Sequence, residues 1–224
     1  MDDIAPRRLA RIAGLLYLLV AGFTIFAGAV NASIVVPGDA AATAGNIGES
    51  AALFRIGFVA ELVGATAFLL TGMALFVLLR HVNTLVAGAM VTFVVVGVTI
   101  QSLNLLNQKA ALMIATGRAE AGGLTMLFAD LQRDGYLISQ IYFGLWLLPL
   151  GYLVIKSGYF PKPLGFLLVI GCCSHLVDVF IRFLAPDLAA NTSQVALIPA
   201  AVAELSFIAW LLVKAVRAPG PAIA

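Results

Sequence analysis

Six stretches of about 20 predominantly apolar residues, separated by polar turns, constrain this chain more than any other feature of its sequence. A run of that length crosses a bilayer as an α-helix, because only a helix satisfies its own backbone N–H and C=O groups where no water can. The stretches read as 9–30, 53–79, 84–106, 136–155, 164–184 and 195–216, with the third able to continue helically to Ala115. They predict an all-α fold, a polytopic integral membrane bundle of six transmembrane helices forming one domain over residues 1–217. Residues 218–224 are expected to be a flexible tail, since Ala218-Pro219-Gly220-Pro221 cannot continue a helix. Composition removes the competing classes. The chain is 62% hydrophobic and 11% charged, against about half and a quarter in soluble domains. A net charge of +2 leaves no footprint for nucleic acid.

Arg7, Arg8 and Arg11 ahead of the first apolar run imitate a signal peptide, and Val30-Asn31-Ala32 imitates its cleavage site. The run is longer than such a peptide needs, so it reads as a retained first helix. Basic residues then set the orientation. With the N-terminus inside, the cytoplasmic set is Arg7, Arg8, Arg11, Arg80, Lys156, Lys162, Lys214 and Arg217. The outer set is Arg55, Lys109, Arg118, Arg133 and Arg182, spread over longer loops. Both termini are therefore expected in the cytoplasm. Within the outer loops, Leu124, Leu127, Phe128 and Leu131 fall at helical spacing and predict an interfacial helix over Gly122 to Asp134. A local echo of Val59-Ala60-Glu61-Leu62 by Val202-Ala203-Glu204-Leu205 divides the chain into three outward-pointing hairpins.

Ionisable side chains inside a span are costly, and they mark candidate sites. On the third span Ser102, Asn107 and Gln108 are further polar groups; the ionisable residues are Glu61, His175, Asp178, Arg182 and Glu204, joined by the amides Gln101, Asn104 and Gln140. These eight residues form the candidate ligand-binding set, expected at one depth in the outer half of the bundle. His175, Asp178 and Arg182 are three and four residues apart and share a helical face, so Asp178 can pair with Arg182. Glu61 and Glu204 have no partner on their own helices. Facing each other, they could share a proton or hold a cation.

Catalytic signatures are missing. There is no GxSxG elbow, no HExxH and no Gly-rich phosphate loop, so no catalytic residue is assigned. Two histidines cannot build a three-His zinc site, and no metal ligand or cofactor is assigned either. Cys172 and Cys173 are adjacent, which is poor geometry for a mutual disulfide, and they read as small apolar residues.

Several segments carry a family resemblance: Arg11-Ile12-Ala13-Gly14-Leu15-Leu16-Tyr17, Val36-Pro37-Gly38-Asp39-Ala40-Ala41, Leu53-Phe54-Arg55-Ile56-Gly57, Asn104-Leu105-Leu106-Asn107, Gly135-Tyr136-Leu137-Ile138 and Lys156-Ser157-Gly158-Tyr159. In this order they resemble the bacterial membrane proteins grouped as domain-of-unknown-function family 4386, over roughly Arg8 to Lys214. The resemblance implies a multi-pass helical protein of the bacterial inner membrane. It brings no activity or catalytic residues, and of the charged residues in span five it matches Asp178 alone.

The first functional reading is binding or transport of a small polar or cationic molecule, with proton linkage, through the polar cluster. The second is an accessory membrane protein whose polar layer only fixes helix packing. The third is an intramembrane metal-dependent hydrolase. The expected partners are membrane lipids, the small-molecule or cation ligand and a second copy of the chain, with no nucleic acid.

Overall fold

The computed structural model describes residues 5–117 and 124–216. The tail at 218–224 and the first two residues of the Gly122–Asp134 segment lie outside them. The described residues form helices α1 (Pro6–Ile34), α2 (Ala40–Glu49), α3 (Ala51–Leu79), α4 (Thr84–Ala115), α5 (Leu124–Leu145), α6 (Leu147–Lys156), α7 (Lys162–Leu184), α8 (Pro186–Ala196) and α9 (Ile198–Val213). Among them, α1, α3, α4, α5 with α6, and α7 are long and apolar enough to cross a membrane. Large apolar side chains such as Ile25, Leu85, Phe166, Phe180 and Leu184 stand exposed along these helices. That exterior suits lipid and not water.

Three local outcomes differ from the sequence expectation. Leu124 to Asp134 is helical, but it is the opening of the continuous helix α5 and not a separate interfacial element. The connection between the first two apolar runs contains α2, whose N-terminus is capped by Asp39 Oδ1 accepting from Ala42 N at 2.9 Å. The last apolar helix begins at Ile198 instead of Val195, since α8 runs to Ala196 and α9 restarts with Pro199 in its first turn. At 16 residues α9 is about 24 Å long, short of a typical hydrocarbon core.

The chain forms two compact units. The first comprises residues up to Leu18, Phe68–Gly97 and Gln140 onward. Here α7 packs against α6, α8 and α9. Glycine makes the α6–α7 approach possible: a Cβ on Gly151 would stand 2.7 Å from the Gly165 carbonyl oxygen. Gly171 likewise lies close to α9, where a Cβ would meet that of Ala203 at 3.2 Å. Trp146, Leu147, Leu150, Leu168 and Phe207 fill the interior. The break between α5 and α6 has a covalent cause. Pro149 has no N–H to offer the carbonyl of Leu145.

The second unit comprises Leu19–Ala67 and Val98–Ser139. Its apolar core joins Val30, Ile34, Ile47, Phe54, Ala111 and Leu112, with Phe128 packed against them. Helix α2 is tied down by buried polar contacts as well. Thr43 Oγ1 accepts from Val36 N at 3.0 Å, and Asn46 Nδ2 donates to the Ile34 carbonyl at 3.0 Å.

Candidate functional site

Each unit encloses its own polar cluster. In the first unit, α1, α5, α7 and α9 supply the side chains. Asp178 is completely buried on α7. Arg182 Nε, one turn further along, donates to both of its carboxylate oxygens at 3.1 and 3.0 Å. Gln140 Nε2 on α5 is a second donor, to Oδ2 at 3.0 Å. The carboxylate is thus fully paired, which is the condition under which a buried charge is tolerated.

His175 and Glu204 form a second group, whose carboxylate, unlike that of Asp178, is partly exposed. His175 Nε2 lies 2.9 Å from Glu204 Oε1, joining α7 to α9. The other carboxylate oxygen accepts from the Tyr17 hydroxyl on α1. Both oxygens of Glu204 are engaged, yet its side chain keeps 25% exposure and that of His175 keeps 16%. His175 Nδ1 is buried without a hydrogen-bond partner. An aromatic wall positions the Tyr17 ring: Trp146 meets it edge-on at 5.4 Å and Phe68 stacks at 6.4 Å. Gly144 clears the space beside the histidine, for a Cβ there would come within 2.7 Å of His175 Cβ.

In the second unit the cluster is a carboxylate surrounded by amides. Asn31 Nδ2 donates to Glu61 Oε1 at 3.1 Å, and Gln108 Nε2 donates to Asn31 Oδ1 at 3.3 Å. Gln101 is a further hydrogen-bonding neighbour of the Glu61 carboxylate. Asn104 turns elsewhere. Its Nδ2 donates to the Gln132 carbonyl at 2.7 Å, and its Oδ1 accepts from Asn107 at 3.0 Å. Gly135 leaves room for that carboxamide, which a Cβ would strike.

Of the eight residues expected from the sequence, the structure joins Asp178 with Arg182 and Gln140, His175 with Glu204, and Glu61 with Gln101, while Asn104 binds backbone. The hydrogen-bonding partners of Glu61 lie in one unit and those of Glu204 in the other. Two participants escaped sequence reasoning, Tyr17 and Asn31. Tyr17 stands in an apolar run, and Asn31 lies in a segment that imitates a cleavage site. Among the described residues, no three His, Cys, Asp or Glu side chains come together in a way that could hold a metal ion.

The model of the family described as Domain of unknown function (DUF4386) matches residues 12–215. An uncharacterized protein of Archaeoglobus fulgidus is 46% identical over 46 residues, which cover 20% of this chain and 28% of that protein. The match thus spans little more than a quarter of that relative's length. No solved structure matches the chain.

Proposed function

We propose that this chain, which belongs to the DUF4386 family, binds or transports a small polar or cationic molecule across a bacterial inner membrane, with a proton exchanged at Glu204 and His175. In this reading α9 is a sixth span and both termini are cytoplasmic. The excess of Lys and Arg at the inner turns supports that orientation. Flanking residues would extend the short α9 toward the membrane surfaces.

One observation carries the proposal. Glu204 is hydrogen-bonded at both oxygens and still partly open, beside a histidine that has a ring nitrogen to spare. A carboxylate next to an imidazole holds one proton between two groups, and a bound cation can displace it. The Asp178–Arg182–Gln140 group has the opposite character. Its carboxylate is wholly buried and paired at both oxygens, with only Arg182 partly exposed, which favours the packing role for that part of the polar layer.

The test is reconstitution of the full-length protein into liposomes loaded with a pH-sensitive dye. The vesicles are challenged with a panel of small polar and cationic solutes, including choline and guanidinium. At least one solute should drive proton movement through the wild-type protein, and Glu204→Gln should abolish it. No response to any solute, or a response that Glu204→Gln leaves unchanged, overturns the reading.

A further inference from the structure

The amides around Glu61 are not interchangeable in direction. An ionised carboxylate only accepts hydrogen bonds, so Asn31 must present its Nδ2 to Glu61 Oε1. Its Oδ1 then faces Gln108, which must present Nε2 in turn. This ordering leaves Gln108 Oε1 at the end of the chain with no donor, and Glu61 Oε2 also lacks a well-formed hydrogen bond. Turning either amide over would set oxygen against oxygen. The cluster therefore carries more acceptors than donors. Both residues are deeply buried, Glu61 at 6% and Gln108 at 2% exposure.

Such an excess is costly unless something positive or protic satisfies it. Water at these oxygens would leave the buried carboxylate charge uncompensated. A proton on Glu61 would remove that charge, and it is the alternative that alkali-cation titration separates from a bound ion. The hydrogen-bonding neighbours of Glu61, Asn31 and Gln101, are both neutral. A cation answers both needs. The donor atoms are all oxygens, carboxylate and carboxamide, which select a hard ion over a soft one. A single carboxylate balances a single positive charge, and a divalent ion would leave an unpaired charge among apolar helices.

We propose that Glu61, Gln108 and Asn31 form an oxygen-only site for one alkali-metal cation. The site lies wholly within the second unit and does not depend on the role proposed for Glu204. Asn31 is the coupling element, because its amide orientation is set by Glu61 and in turn sets that of Gln108.

The experiment uses full-length protein purified in N-methyl-D-glucamine chloride. Its thermal denaturation is followed as LiCl, NaCl or KCl replaces that salt at constant ionic strength. At least one alkali cation should raise Tm saturably, and 22Na+ or 86Rb+ binding should report one ion per chain. Glu61→Gln should abolish the effect, and Gln108→Leu should raise the apparent Kd about tenfold or more. Gln108→Glu supplies a second carboxylate and should add stabilisation by Ca2+ at concentrations where the wild type shows none. Stabilisation equal to that in N-methyl-D-glucamine, or a saturable effect that survives in Glu61→Gln, overturns the proposal. Should Glu61→Gln not fold, Gln108→Glu decides: an unaltered alkali response with no Ca2+ response refutes the site.

Discussion

His175 on α7 and Glu204 on α9 meet at 2.9 Å, and the same carboxylate accepts the Tyr17 hydroxyl from α1. Three helices from opposite ends of the chain thus converge on one acid. Gly171 against Ala203 allows it, by bringing α7 and α9 close enough for an imidazole to reach across.

Tyr17→Phe removes one hydroxyl and leaves the ring packed on Trp146 and Phe68. The expected loss is about 1 kcal/mol, the usual scale of a polar contact between membrane helices. In a Glu204→Gln background the same substitution should cost less, because the charged acceptor is already gone. Unfolding in mixed detergent measures both, and equal losses in the two backgrounds would contradict the contact.

Asp178→Asn should destabilise the protein strongly, for it leaves the Arg182 guanidinium without its counter-charge. Arg182→Met alone should also destabilise. The double variant should lose less than the sum of the two, since neither charge is then stranded. A double-mutant cycle on thermal stability checks this, and strict additivity would rule out the pair as a packing node.

Gly144→Ala places a Cβ 2.7 Å from His175 Cβ and must push α5 from α7. The expected result is a lowered Tm together with loss of any solute response that depends on Glu204. Gly88→Ala meets nothing within 4 Å and should leave both unchanged. If the two variants behaved alike, close packing at Gly144 would not be what positions the histidine.

Cysteine labelling tests the orientation in a Cys172→Ala, Cys173→Ala background. Gly45→Cys in α2 stands at an exposed position where a Cβ meets nothing within 4 Å, and it should react with an impermeant maleimide on intact cells. Thr84→Cys, exposed at the start of α4, should react only after permeabilisation. The reverse pattern would place both termini outside.

Part of the site was readable along a single helix. Asp178 and Arg182 are four residues apart, and on an α-helix that spacing alone brings them together. Glu61 and Glu204 were equally visible, being acids in apolar runs. Their partners were not. Tyr17 and Glu204 are 187 residues apart, and nothing in an apolar stretch tells a tyrosine that bonds an acid from one that faces lipid. Helices α2 and α8 are not legible for a related reason: each is only about three turns long and is held by the Asp39 cap or by packing against other helices.

What the sequence determined by itself is the class of the protein, because backbone hydrogen bonding in lipid leaves a long apolar run only one structure to adopt. It also determined every contact that helical periodicity imposes within one element. The tertiary structure alone decided which acid meets which donor: Glu204 with Tyr17 and His175, Glu61 with Asn31. Those choices depend on how each helix is rotated and how closely it packs. In a uniformly apolar chain, rotation and spacing are settled by glycines and side-chain shape across helices, which no single stretch of sequence contains.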